Sequence, residues 1–305
     1  MKRILMPCTS PIHIARNQLL LNELKKRFEL HIATYGEKDM KMDEIACDIT
    51  PKFKRALDIV KPDLVIIRAD RAELLPCAML SVYGNYKVAQ LECGDKSGTW
   101  DNKVRYAISH LADYHFTTNN DSQERMLKIG FDNVWNCGSL DVEYALSVKP
   151  SKLRSKPYIL VLWHPVPFED SNALYGALNA FPDYSIVGVR GNKDYGEKSS
   201  YKEWYSPEDF INLLRNASCL VGNSSAGLKE ASVLGTPVVN VGTRQQGRTK
   251  PLSVLDCPCE EKEIIEAIRS QIGKRYEIDA TYFQENCSQK IAGQIALVLG
   301  ISPQS

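Results

Sequence analysis

The 305-residue sequence has no excess of charge of one sign: 38 Lys and Arg stand against 37 Asp and Glu, a formal net charge of +1. That balance excludes a bulk positive field for nucleic acid or for an anionic membrane surface, so neither is expected as a partner and any anion must be caught by local geometry. No apolar run approaches the ~18 residues of a membrane span, and the N-terminal MKRILMPCTSP holds too few consecutive apolar residues for a secretory signal. Low-complexity tracts and short tandem repeats are absent as well. The nine cysteines, at 8, 47, 77, 93, 137, 219, 257, 259 and 287, cannot all pair, and most lie in apolar stretches. A reduced, cytoplasmic protein is the simpler expectation. The Cys257-Pro258-Cys259 spacing is not that of a zinc site and no His-Cys cluster accompanies it, so no metal and no other cofactor is expected.

What the sequence does contain is a rhythm. Short apolar runs (RILMPC, ELHIATYG, DLVIIRA, KVAQLE) alternate with amphipathic stretches (RNQLLLNELKKR, KFKRALDIVK, ELLPCAMLSVYG). This reads as βαβ units feeding a parallel sheet. The pattern resumes after residue 155 with YILVLWH, YSIVGV, PEDFINLLRNA, CLVGNS, PVVNV and EEKEIIEAIRSQI, implying a second α/β half. The length suits two domains, and LSVKPSKLRSKP, residues 146–157, interrupts the apolar rhythm with charge, serine and proline. The expected organisation is 1–150, 151–285 and a final helical segment, 286–305, able to pack back on the N-terminal half. A homodimer is the oligomer to expect if one forms.

In open parallel sheets ligands bind beyond the carboxyl ends of the strands, which singles out Ser10, Asp70, Arg71, Glu92, His164 and the run Asn223, Ser224, Ser225. Asp70 and Glu92 put two carboxylates on one rim, although Asp70 also fits a helix cap and Glu92 a solvated loop. Asp101 and Arg105 are four apart on a predicted helix, where a solvated ion pair is the ordinary outcome. His164 precedes Pro165, which disfavours a helical conformation and leaves it at a strand end; a satisfied core histidine is the plainer alternative. The segment GNSSAGLKEASVLGTPVVNVGTRQQGR, residues 222–248, is more specific. Small polar residues open a helix expected from about Ala226, with Glu230 one or two turns along it. Arg244 and Arg248 then follow the next strand, and two guanidiniums beside such a cradle suit a diphosphate.

These fragments, ADRAELL, QLECGDKSGTWDNKVRYAISHLADYHF, WHPV and the 222–248 segment, run in order across residues 65–250 and resemble the UDP-N-acetylglucosamine 2-epimerase family, most closely its hydrolysing branch, which makes N-acetylmannosamine. The resemblance implies a GT-B fold: two Rossmann-like domains with the active site in the interdomain cleft. It further implies a nucleotide sugar such as UDP-N-acetylglucosamine as partner, with Asp70, Glu92, Asp101, Arg105 and His164 as catalytic residues. Ser224, Ser225, Glu230, Arg244 and Arg248 match the region that holds the uridine diphosphate. Ser10 stands where the family carries an arginine facing the diphosphate, Arg16 being the next guanidinium along, and the stretch between the first strand and Asp70 is short for the family. A GT-B glycosyltransferase, an epimerase acting on another UDP- or GDP-linked amino sugar, and a non-catalytic nucleotide-sugar sensor are the rival readings. The first-half acid cluster disfavours the transferase, which needs only one base.

Overall fold

The computed structural model describes residues 1–9, 11–35, 42–68, 71–167, 169–190 and 203–301. The chain forms two compact units, one made of Met1–Lys96, Trp100–Tyr144 and Gln284–Ser305, the other of Ser97–Thr99 and Ala145–Phe283.

The first unit is built on six parallel strands: β1 (Arg3–Cys8), β2 (Glu29–Thr34), β3 (Leu64–Arg68), β4 (Lys87–Cys93), β5 (Tyr114–Thr117) and β6 (Val134–Asn136). Their spatial order is β2-β1-β3-β4-β5-β6, so the chain reverses direction of travel between β1 and β3, the switch point at which such sheets open a crevice. The intervening helices are α1 (Pro11–Arg16), α2 (Gln18–Lys25), α3 (Met42–Val60), α4 (Leu75–Tyr83), α5 (Asp101–Leu111), α6 (Asn120–Ile129) and α7 (Leu140–Ser147). The central strands β1 and β3 read as nearly continuous apolar runs because both their faces are covered, whereas the edge strand β2 is only partly buried. Ile4, Met6, Leu64, Ile66, Ala89 and Leu91 enter one core cluster with residues of α2. Leu5, Val65, Ile67 and Val88, the alternate residues, enter the other with Ile49, Phe53 and Leu57 of α3. Local signals agree with this packing: Asn119 Oδ1 caps α6 by accepting from Ser122 N at 2.8 Å, and Gly130 closes that helix in the left-handed conformation.

The second unit has five parallel strands, β7 (Tyr158–Leu162), β8 (Ser185–Val189), β9 (Cys219–Gly222), β10 (Val238–Val241) and β11 (Val254–Cys257), in the order β11-β10-β9-β7-β8. Its switch point lies between β7 and β9. The helices are α8 (Ser171–Leu178), α9 (Pro207–Asn216), α10 (Glu230–Leu234) and α11 (Glu261–Gln271). Ser206-Pro207 starts α9, the Ser206 hydroxyl accepting from Asp209 N at 3.0 Å with proline at the first helical position. Residues Ile159, Val161, Cys219, Val221, Val239 and Val241 share one buried face with Leu174 of α8 and Ile264 and Ile268 of α11.

The last helix, α12 (Cys287–Val298), belongs to the first unit. Its Cys287, Ile291, Ala292, Ile295 and Ala296 are buried in the same cluster as Leu20, Leu21 and Leu24 of α2. Glu143 tethers its start, accepting from Ser288 N at 3.1 Å on each carboxylate oxygen. All nine cysteines are free thiols, and no described helix is long and apolar enough to cross a membrane.

Candidate functional site

At the carboxyl rim of the first sheet, Arg68 ends β3 in register with Leu91 of β4. Glu92 therefore lies one residue beyond that pair. Between Leu91 and Cys93 the register against β5 slips by one residue, making Glu92 the extra residue of a β-bulge. Its backbone is left-handed, φ +56, a conformation that costs a non-glycine residue free energy and persists only where its surroundings over-determine it. Those surroundings are polar and buried. Arg68 Nη2 donates to Glu92 Oε1 at 2.9 Å, and the Ser139 hydroxyl donates to the same oxygen at 3.3 Å. Glu92 is thus a buried, tethered carboxylate and not a solvated loop residue.

The loop that follows carries Asp95, and the helix after it, α5, carries Asp101 and Arg105. Asp101 is the first residue of α5 and is half-buried. Arg105 is 0% exposed, which rules out the solvated i,i+4 pair that the spacing alone suggests. Its Nη1 donates to Asp95 O at 2.9 Å and to Asn102 Oδ1 at 2.8 Å, so it fastens the loop to the first turn of α5. Asp95 in turn accepts from the Ser122 hydroxyl at 2.8 Å and the Thr118 hydroxyl at 3.3 Å. Arg71 is half-buried and donates through Nε to Glu73, which is fully buried. Asp70 and Ser10 lie outside the described residues. Arg16, at the end of α1, approaches Asp141 Oδ1 at 3.5 Å.

In the second unit the switch point itself is occupied by an interlock. His164 N donates to Asn223 Oδ1 at 2.8 Å while Asn223 Nδ2 donates to His164 O at 2.8 Å, so one fully buried amide side chain joins the loops after β7 and β9 as a strand pair would. Gly222 makes the approach possible: at φ +147 a Cβ there would lie 2.1 Å from Leu162 O. The Asn223 carbonyl then accepts from Arg244 Nη1 at 3.1 Å and Gln245 Nε2 at 2.7 Å, drawing the loop after β10 onto the same rim. Glu169 holds that loop from the other side, its Oε1 accepting from the Thr243 N–H and hydroxyl, both at 2.6 Å. Gly242, at φ +78, leaves the room, since a Cβ would meet Glu169 Oε2 at 2.3 Å. Gly98 N donates to Arg244 O at 3.0 Å. Arg244 and Arg248 are both half-buried.

One local expectation is corrected. No continuous helix starts at Ala226: Ser225–Gly227 is a 3-10 turn, and α10 begins only at Glu230, which is buried at its first position. The reason is close packing, since Gly227 runs so near β10 that a Cβ would lie 2.9 Å from Val238 Cγ1, and the chain winds tightly through i→i+3 bonds there. The Ser224 hydroxyl accepts from Ala226 N at 3.3 Å, the ordinary capping role, and Ser225 is half-buried.

The structure thus groups Glu92, Asp101 and Arg105 on the first unit, and His164, Asn223, Ser224, Ser225, Glu230, Arg244 and Arg248 on the second. Sequence reading passes over Arg68, Asp95, Asp141, Glu169 and Gln245. Arg68 was within reach, as a charged residue closing the apolar run LVIIR. Asp141 carried no signal, because an acid in a helix's first turn is commonplace. Glu169 and Gln245 gain meaning only from the loop they hold. Among the described residues no group of three or more His, Cys, Asp or Glu side chains is arranged to hold a metal ion.

Residues 12–296 match the family model of UDP-N-acetylglucosamine 2-epimerase. A UDP-N-acetylglucosamine 2-epimerase of Neisseria meningitidis serogroup B is 31% identical over 261 residues, covering 75% of this chain and 69% of the relative. A UDP-N,N'-diacetylbacillosamine 2-epimerase (hydrolyzing) of Legionella pneumophila is 28% identical over 256 residues, covering 73% of this chain and 67% of the relative. Among solved structures, the S. aureus MnaA-UDP co-structure aligns with a TM-score of 0.84 at 14% identity, covering 100% of this chain and 99% of the other. That likeness establishes the GT-B fold. With the family model spanning nearly the whole chain and a relative above 30% identity, the chain belongs to the UDP-N-acetylglucosamine 2-epimerase family.

Proposed function

We propose that this protein is a hydrolysing 2-epimerase that converts UDP-N-acetylglucosamine and water to N-acetylmannosamine and UDP. The C2 hydrogen of the sugar is not beside a carbonyl, so direct removal by a carboxylate faces a steep barrier. Elimination lowers it: as the bond from C1 to the diphosphate oxygen stretches, positive charge grows at C1 and acidifies C2. A carboxylate takes the C2 proton, UDP leaves, and a 2-acetamidoglucal remains. Water then adds its oxygen to C1 while a proton returns to C2 on the opposite face. Two differently placed acid/base groups are needed, and Asp70, Glu92 and Asp101 are the carboxylates proposed to supply them. Arg244 and Arg248 are assigned to the leaving diphosphate, because charge that develops there is best met by preorganised cations. His164 is assigned a place near the leaving phosphate, and Ser10, Arg71, Asn223, Ser224, Ser225 and Glu230 line the nucleotide contacts.

The observation that carries this reading is Glu92, a family-matched carboxylate held buried in a left-handed bulge by Arg68. The name of the Legionella relative favours a second reading, in which the same chemistry acts on a diacetylated bacillosamine nucleotide. Incubation with UDP-N-acetylglucosamine in heavy-oxygen water tests both. The expected result is release of UDP and a free sugar labelled at C1, identified by NMR as N-acetylmannosamine. Accumulation of UDP-N-acetylmannosamine with little free sugar places the protein on the non-hydrolysing side, and turnover confined to the bacillosamine nucleotide selects the second reading.

A further inference from the structure

The Arg68 guanidinium has no step in the elimination above, yet it is spread over three acceptors at 2.9 Å. Nη1 donates to Asn17 Oδ1, and Nη2 reaches both Glu92 Oε1 and Asp141 Oδ1. One nitrogen therefore bridges two carboxylates that come from different parts of the chain, the end of β4 and the first turn of α7. The cluster is secluded: the Arg68 and Asp141 side chains are 10% and 12% exposed, and Asn17 is buried. Glu92, one residue past the register partner of Arg68, adopts the left-handed backbone of a bulge, and such a residue returns to the ordinary strand conformation unless something holds it. Only a planar guanidinium meets three acceptors in this fork; an ammonium is a point charge without fixed donor directions.

We propose that Arg68 is a positioning residue, fixing the Glu92 carboxylate at the proton-transfer point while Asp141 and Asn17 fix Arg68. The inference rests on the assignment of Glu92 to C2 chemistry. It assigns Arg68 no contact with substrate. Loss of the guanidinium removes the bridge between Glu92 and Asp141 and lets the bulge relax, so the acid moves away from where it must act. Misplacement of ~1 Å is enough to lower turnover by ~100-fold.

The test combines kinetics with structure. Arg68→Met is expected to lower kcat by ~100-fold while the affinity for UDP stays within ~3-fold of wild type, since the proposed diphosphate contacts lie on other loops. Arg68→Lys restores one bond and is expected to fall between the two. In Arg68→Gly, added guanidinium ion at millimolar concentration is expected to recover at least ~10-fold of the lost turnover, a response that a general packing defect does not give. The crystal structure of Arg68→Met is expected to show the Glu92 carboxylate displaced. An unmoved Glu92, or a folded Arg68→Met enzyme with kcat within ~3-fold of wild type, overturns the proposal. If Arg68→Met does not fold, the same two readings are taken on Arg68→Lys. A wild-type protein that fails to turn over UDP-N-acetylglucosamine, alongside a displaced Glu92 in the variant, sinks the substrate assignment and leaves the positioning role standing.

Discussion

Asn223 shows how much one side chain can decide. Its amide gives and receives one hydrogen bond with the His164 backbone, both 2.8 Å, and its own carbonyl collects Arg244 and Gln245. Buried hydrogen bonds of this kind contribute modestly when made and cost more when broken, about 1–3 kcal/mol for each group stranded. Asn223→Ala is therefore expected to lower unfolding stability by about 2–4 kcal/mol. Asn223→Asp is expected to be no milder, because it keeps the acceptor for His164 N but turns a fully buried oxygen toward the His164 carbonyl. Urea midpoints of the three proteins measure this, and a loss below about 0.5 kcal/mol in Asn223→Ala means the two loops are held by something else.

At the scale of elements, β5 contains a built-in sensitivity to acid. His115 is 2% exposed, its Nε2 lies 2.9 Å from Ser109 O, and its ring packs 4.5 Å from that of Phe131. The carbonyl requires a proton on Nε2, and Nδ1 is buried. A second proton would place charge in an apolar wall. Burial accordingly pushes the imidazole below its ordinary range, with His110 adding to the effect and the Ser109 and Asn133 backbone bonds and Asp113 opposing it. The sign follows: a folded-state value below the unfolded one means that the unfolded chain binds the proton more readily. The stabilisation is full above the ordinary imidazole value of 6.5 and is lost as pH falls below it. Stability measured in urea from pH 7.5 to 5 is expected to fall in the wild type, and His115→Asn is expected to flatten the fall. Equal slopes in the two proteins would assign the acid sensitivity to other groups.

At the scale of the whole molecule, the end of the chain completes the beginning. The side chains Cys287, Ile291, Ala292, Ile295 and Ala296 of α12 share one buried cluster with α2 and with β1, β3 and β4. Burying an isoleucine contributes about 1.5–3 kcal/mol, so two of them amount to a sizeable part of the 5–15 kcal/mol that holds a typical domain together. Removing residues 284–305 from the full chain is expected to lower the melting temperature by at least about 10 °C, or to leave the first unit unfolded, with near-ultraviolet circular dichroism as the readout. A truncated protein that melts within about 3 °C of the full chain would show that α12 is dispensable.

Much of this molecule was determined by local sequence. Apolar runs of strand length, interleaved with amphipathic stretches, specify parallel α/β units because each strand must be covered on both faces. The rule that ligands gather past strand ends singles out Glu92, His164 and Asn223, and the structure places all three at the carboxyl ends of strands. The caps at Ser206-Pro207 and Asn119 are local devices too, since a cap acts within three residues. What only the tertiary structure decided are the interactions whose partners lie far apart in the chain. Arg105 looked like half of a solvated pair and is buried under the loop it fastens, because i,i+4 spacing says nothing of which face the core covers. The helix expected from Ala226 gave way to a 3-10 turn under the pressure of β10. Arg68, Asn17 and Asp141 are separated by 51 and 73 positions and share no pattern, yet the register of β3 with β4 and the start of α7 bring them to one guanidinium. Periodicity records which face of an element is apolar; it holds no information about which distant charge arrives at its end, because that depends on the order in which the strands assemble.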